Sequence, residues 1–212
     1  MFAPEGWPFI FGGAAFCVAS RFMGPRWVWL PLFAIGVLFT LFSMWFFRNP
    51  ARALPEGEGL IVSPADGEVV HIGDEPPGRY MSEPGKRVSI FMSPMNVHVN
   101  RAPVSGRVSS VRYNKGEFHV ARVEKASLMN EQNGVEIVTP EGRKVTYVQI
   151  AGILARRIVC DVREGDEVTQ GRRVGMIRFG SRLDVYLPRD ARINVAVKDR
   201  VRAGETVIGA FQ

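Results

Sequence analysis

Chemistry in this 212-residue chain could reside in a Gly-Ser step between two apolar runs, in three histidines and in one aspartate turn. Gly180-Ser181 lies in Arg178-Phe179-Gly180-Ser181-Arg182-Leu183-Asp184-Val185-Tyr186-Leu187. Gly180 has no Cβ, so a nucleophile can approach its carbonyl closely, and Ser181 places a hydroxyl beside that same peptide bond. The step equally suits an ordinary hairpin turn. His98 lies in Met95-Asn96-Val97-His98-Val99-Asn100-Arg101, where strand alternation would put Asn96, His98 and Asn100 on one face. A polar row around an imidazole suits proton transfer near neutral pH, and also suits a plain surface strand. Asp66 sits in Pro64-Ala65-Asp66-Gly67, a turn sequence in which Asp often bonds only its own backbone. His71 and His119 have surface or core-edge contexts. Cys17 and Cys160 form neither a ligand pattern nor a disulfide framework. No metal spacing, Walker-type loop or dinucleotide fingerprint occurs, so no metal or nucleotide cofactor is expected.

These residues must be positioned by two very different stretches of chain. Residues 1–53 hold two apolar runs, Trp7 to Ser20 and Trp27 to Phe47, separated by Met23-Gly24-Pro25-Arg26. The second run is uncharged and long enough for a bilayer, and Trp and Phe sit at its edges. A cleaved signal peptide is not expected, because no basic start or small-residue cleavage site is present. Arg21 and Arg26 on one side balance Arg48 and Arg52 on the other, so two full spans and a hairpin dipping into one leaflet remain equally open.

After Pro55-Glu56-Gly57-Glu58-Gly59, residues 54–212 become β-rich, with short Val/Ile runs broken by Gly, Pro, Asp or Asn. Only Ala121 to Asn130 is suited to a helical turn or two. Pro64-Ala65-Asp66-Gly67-Glu68-Val69 is echoed 39 residues later by Pro103 to Val108, and Val162 to Val168 is echoed at the same offset by Val201 to Val207. A duplicated β unit closing over one core follows, and the expected fold is a compact sandwich-like β barrel. Net charge of +6 predicts an anionic partner surface. The basic residues show no stripe with interleaved aromatics, which excludes nucleic acid in favour of anionic lipid.

Taken together the motifs resemble those of the phosphatidylserine decarboxylase proenzymes of the short prokaryotic type. The matching stretches are Phe46-Phe47-Arg48-Asn49-Pro50-Ala51-Arg52, Ser63 to Gly67, Phe91-Met92-Ser93-Pro94 leading to His98, Lys125-Ala126-Ser127 with Asn130-Glu131, Gln149-Ile150-Ala151-Gly152 and Phe179-Gly180-Ser181. The resemblance implies a membrane-bound enzyme of the cell membrane that cuts itself between Gly180 and Ser181. The products would be a β chain, 1–180, and an α chain, 181–212, which stay together as a heterodimer and could assemble further. Ser181 would become a pyruvoyl group, the cofactor, which captures the substrate amine as a Schiff base and takes up the electron pair when carbon dioxide leaves. His98 would protonate the product carbon, and Asp66 would help self-cleavage by orienting a base.

The family's longer members carry a second histidine where this chain has Arg101, and Leu-Gly-Ser-Thr where it has Phe-Gly-Ser-Arg. Two assignments stay open: His98 serves both steps, or Arg101 stabilises the oxyanion on Gly180. The rival reading is a membrane-tethered carrier or adaptor of biotinyl-like β architecture, with Lys198 as its modifiable lysine.

Overall fold

Met1–Ala51 and Arg52–Gln212 form two separate units. The computed structural model describes residues 1–116, 130–152, 157–178 and 181–212. The helix expected over Ala121 to Asn130, His119 and Gly180 therefore fall wholly or largely outside the described residues.

In the first unit, α1 (Trp7–Ser20) and α2 (Arg26–Phe46) follow the two apolar runs. They pack closely because glycines face the neighbouring helix. A Cβ on Gly13 would sit 2.3 Å from Thr40 Oγ1, and one on Gly36 would sit 2.6 Å from Cys17 Sγ. Small residues of this kind are what let apolar helices approach where no water drives them together. Of the two, α2 is long and apolar enough to cross a membrane, and most of its surface is exposed.

The second unit is mainly β, as expected, and is built twice over. Its strands are β1 (Leu60–Val62), β2 (Gly67–Glu75), β3 (Gly85–Met92), β4 (Val99–Arg101), β5 (Gly106–Asn114), β6 (Gln132–Val138) and β7 (Lys144–Ile150). There follow β8 (Ile158–Cys160), β9 (Glu167–Val168), β10 (Arg173–Ile177), β11 (Ser181–Pro188), β12 (Arg192–Ile193), β13 (Arg200–Val201) and β14 (Val207–Ala210). The large curled sheet has the order β13-β2-β3-β11-β7-β6-β5-β9, and two three-stranded sheets run β1-β14-β12 and β4-β10-β8. Each order has a mirror. The first copy is β1–β3 with β11–β14, the second is β4–β10, and the antiparallel pair β11–β7 lies at the pseudo-twofold between them.

The correspondence holds residue by residue. A bulge between Val69 and His71 in the β2–β3 pair recurs between Val108 and Ser110 in β5–β6, 39 positions on. Val62 N–H donates to Pro103 O and Arg101 N–H to Pro64 O, a reciprocal exchange across the pseudo-axis. The second echo differs from the sequence reading. Val201 pairs with Gly67 where Val168 pairs with Gly106, so the later segments correspond at an offset of 33 rather than 39. The turn equivalent to Gly165 (φ 92°) is Lys198 (φ 80°), and Gly171 (φ 75°) matches Gly204 (φ 77°). The Val201 to Val207 motif is the next turn along, built from the same strand-turn-strand residues.

The second copy is inserted whole between β3 and β11. In that copy a tight turn, Thr139 to Arg143, joins β6 directly to β7, with Gly142 N–H donating to Thr139 O. In the first copy the corresponding ends are Met92 and Ser181, which face each other in register but are joined through the entire second copy. The core fills the space enclosed by these sheets, with Val88, Ile90, Met92, Val135, Ile137, Tyr147, Leu183, Val185 and Leu187 facing inward.

Candidate active site

Alternation along β11 sends Ser181, Leu183, Val185 and Leu187 inward and Arg182, Asp184 and Tyr186 outward. The outward side chains clamp the strand. Arg182 Nε donates to Asp184 Oδ1 at 2.6 Å and its Nη2 to Ser89 Oγ at 2.7 Å, all three side chains being buried. Arg87 adds ion pairs to Asp184 (3.6 Å) and Glu75 (2.9 Å), and His71 Nε2 lies 3.4 Å from Arg87 Nη2. His71 thus belongs to a polar network on the outer face of the sheet, in line with its expected core-edge role.

The inward side is where reactivity can arise. Ser181 is fully buried, and its Oγ has no hydrogen-bond partner among the described residues. A buried hydroxyl without a partner costs on the order of 1–3 kcal/mol. An ordinary turn serine would spend its hydroxyl on backbone; this one bonds none among the described residues.

His98 precedes β4 and is also fully buried. Its Nδ1 lies 3.0 Å from the Asn96 carbonyl oxygen, an atom that can only accept. Nδ1 therefore carries the proton, and in the neutral ring Nε2 is the basic nitrogen. The His98 carbonyl accepts from Ile177 N–H at 3.4 Å, which ties the histidine to the chain four residues before Ser181. The strand expected around His98 begins only at Val99, and Asn96 lies in the Ser93 to Asn96 turn; Val97, His98, Val99 and Asn100 are all buried.

Asp66 is placed differently from a residue that orients an imidazole directly. Arg52 Nη2 donates to both its oxygens, at 2.9 and 2.8 Å, and Ala203 N–H donates to Oδ1 at 2.8 Å. Arg52 also reaches Glu205 at 3.4 Å. Arg101 lies beside this pair, its Nη1 donating to Gly171 O at 2.9 Å. Burial, and then the neighbouring Arg52 charge, push the Arg101 pKa below its ordinary value, with Asp66 opposing. Arg52, which anchors the aspartate, had no local signal beyond its place at the end of the Phe46 to Arg52 motif.

A chain of side-chain amides completes the inner surface. Gln149 Nε2 donates to Val159 O (3.1 Å) and Asn100 Oδ1 (2.9 Å), while Asn133 Nδ2 donates to Gln149 Oε1 (3.1 Å). All three amides are buried. Sequence reading set Asn100 in a polar row and missed Asn133, although an Asn inside a Val-rich strand runs against β propensity. At one end of the chain, Asn133 bonds the Cys160 thiol, which burial pushes above its usual pKa. The Tyr147 hydroxyl, buried nearby, is pushed up for the same reason.

A cavity of about 450 Å³ opens at this end of the large sheet. Asp66, Phe91, Ser93, Asn96, Arg200 and Arg202 line it, so it reaches the loop whose carbonyl holds His98 and carries two exposed cations.

The sequence resembles those of known proteins. The phosphatidylserine decarboxylase family profile matches residues 39–209. A phosphatidylserine decarboxylase proenzyme of Syntrophus aciditrophicus (strain SB) is 49% identical over 211 residues, covering 99% of this chain and 97% of that protein. One from Geobacter sp. (strain M21) is 47% identical over 212 residues, covering 98% and 95%. Similarity over almost the whole of both chains, together with the buried serine at the start of β11, establishes that the chain belongs to the phosphatidylserine decarboxylase family, a family of carboxy-lyases.

Proposed function

We propose that the chain is a self-processing precursor that decarboxylates phosphatidylserine to phosphatidylethanolamine. The observation that carries this reading is the buried Ser181 Oγ, without a hydrogen-bond partner among the described residues, at the first position of a clamped strand. A hydroxyl so placed is available to attack the carbonyl that precedes it. Oγ adds to the Gly180 carbonyl as its proton passes to a base, and the C–N bond breaks to leave an ester. Removal of the Ser181 α-proton expels the Gly180 carboxylate by β-elimination. The dehydroalanine at position 181 then takes up water and loses ammonia, leaving a pyruvoyl group on Arg182.

The surroundings fit such a group: Ser181 is enclosed by Met92 and Leu183, away from bulk water, and the Arg182 clamp holds the new chain end after the backbone is cut. When formed, its carbonyl supplies an electrophile and an electron sink for the pair left behind by departing carbon dioxide. His98 is the proton carrier. Neutral Nε2 accepts a proton, and the imidazolium, held by Nδ1–H to Asn96, delivers it along the same direction. Arg101 donates to the Gly171 carbonyl, which supports His98 serving both stages and predicts that Arg101→Ala is processed at the normal rate.

The substrate's acyl chains remain in a bilayer, and α2 gives the chain an apolar helix that could hold the second unit there. Arg200 and Arg202 at the mouth of the cavity complement an anionic head group. Basic residues near a membrane attract anionic lipid by about 1 kcal/mol each.

The test is the intact mass of the purified chain, followed by reaction with hydroxylamine. Two fragments, 1–180 and 181–212, with a carbonyl at the start of the smaller one are expected. Ser181→Ala is expected to run as one band and to release no carbon dioxide from phosphatidylserine. An unbroken wild-type chain would remove the basis of this reading.

A further inference from the structure

Resting on the self-cleavage just described, we propose that Asn100 is a catalytic residue of that step. Its Nδ2–H donates to the oxyanion formed when Ser181 Oγ adds to the preceding carbonyl, and Gln149 and Asn133 are the positioning residues that aim it.

The orientation follows from one backbone atom. Val159 O can only accept, so the end of Gln149 that faces it is Nε2. The same nitrogen faces Asn100, so Asn100 presents Oδ1 to Gln149. Asn100 Nδ2 must then point the other way, and it lies 3.7 Å from Met92 Sδ. Met92 is the register partner of Ser181, and Gln149 faces Leu183, one inner position further along β11. A fully buried amide thus spends its N–H on a thioether, a weak acceptor on a flexible side chain, at the position paired with the nucleophile. An oxyanion is a far stronger acceptor.

The fold itself does not require these amides. In the first copy the positions of Asn100, Gln149 and Gly175 are held by Ile61, Leu187 and Gly209. The match extends to the glycine: Gly209 approaches Arg192 O and Leu187 Cδ1, and Gly175 approaches Val159 O and Gln149 Nε2. Ile61 pairs with Gly209 as Asn100 pairs with Gly175. The same backbone therefore closes well over Ile and Leu, so the fold does not depend on amides at these two positions.

In the proposed step the Oγ–C bond forms, the carbonyl π pair moves onto oxygen, and the Oγ proton passes to the base. Asn100 gives no proton away; it only stabilises the charge. Loss of one such donor typically slows a reaction by about 10²–10³-fold.

The experiment times the cleavage of the full chain from cell-free synthesis in the presence of detergent. The double variant Asn100→Ile, Gln149→Leu installs the first copy's residues at these two positions, so it is expected to fold, with a melting temperature lowered by about a few degrees because Asn133 Nδ2 loses its Gln149 acceptor, yet cleave roughly a hundredfold more slowly or worse. Asn100→Asp keeps the shape but turns an acceptor toward Ser181. It is expected to be slow at pH 8 and to regain rate relative to wild type as the pH falls, because a protonated carboxyl can donate and burial raises its pKa. A double variant cleaved at the wild-type rate, or an Asn100→Asp rate relative to wild type that does not change with pH, overturns the role of Asn100 while leaving self-cleavage intact. A wild-type chain that never cleaves defeats the underlying reading instead.

Discussion

The two copies within the β unit share a backbone and divide the labour. Strand for strand and bulge for bulge they superpose in pairing, yet their interiors differ in kind. Where the second copy has Asn100, Tyr147, Gln149 and Cys160, the first has Ile61, Val185, Leu187 and Ile193. Both halves of the shell supply the apolar core, and the second adds a buried polar patch that the first lacks at the matching positions. The first copy contributes Ser181, at the mouth of a hairpin that in the second copy is closed by the Thr139 to Arg143 turn. Opening that hairpin and threading a whole domain half through it puts the start of β11, the proposed cleavage point, at the seam. The clamp around Arg182 then holds one edge of the seam in register whether or not the chain is continuous.

The sharpest way to break the comparison is at Asp66. Asp66 Oδ1 accepts from Ala203 N–H, and at the matching position Ser105 Oγ accepts from Gln170 N–H at 2.9 Å. Both cap the same turn, so capping needs only an oxygen. The charge on Asp66 does more, because it neutralises Arg52, whose side chain is 8% exposed. Removing one partner of a buried ion pair costs about 3–5 kcal/mol, whereas the hydrogen bond of exposed Ser105 can be replaced by water. Asp66→Ala is therefore expected to lower stability by several kcal/mol and Ser105→Ala by about 1 kcal/mol or less. Both are measured by denaturant unfolding in a Ser181→Ala background, where the chain stays in one piece. Equal losses would mean that Arg52 contributes nothing to the aspartate's role, and the direct orientation of a catalytic base would again be the better account of Asp66.

How much of this was legible beforehand depends on the range of the interaction. The helices could be read from unbroken apolar runs, and the β unit from Val/Ile runs and turns, because both are local patterns. The first echo, Pro64 to Val69 against Pro103 to Val108, could be read because both copies keep the same turn and bulge. The second echo misled. Val-x-x-Gly-x-x-Val marks any strand-turn-strand, and the true partner of Gly165 is Lys198, a residue whose left-handed φ nothing in its side chain announces. His98 and Ser181 stood out as residue types, but the tautomer of His98 depends on the Asn96 carbonyl and the role of Asp66 on Arg52, contacts made only by folding. The amide chain was hidden for the same reason: Asn100, Asn133 and Gln149 lie on three strands that no local pattern brings together.

The gentlest test exchanges one residue between the copies. Cys160 in β8 occupies the position held by Ile193 in β12, each paired with the matching glycine of its sheet. Burial raises the Cys160 thiol pKa, with the Val162 backbone and the Asn133 side chain opposing through hydrogen bonds and Asp161 adding to the rise. The unfolded chain therefore gives up this proton first as pH increases. The stability this thiol contributes is fully present below the ordinary cysteine pKa and is lost as pH climbs through the raised one. Tyr80, Tyr147 and Tyr186, all raised chiefly by burial, extend the same loss to higher pH. Cys160→Ile swaps in the first copy's residue, and its neutral-pH effect is expected to stay within about 1 kcal/mol, since it trades a weak S–H bond for apolar volume. Thermal unfolding from pH 7 to 10 is expected to show a shallower decline at the lower end for the variant, with the tyrosine-dependent part unchanged. An identical slope for both proteins would show that the thiol is solvated like a free cysteine and that the buried polar patch ends short of β8.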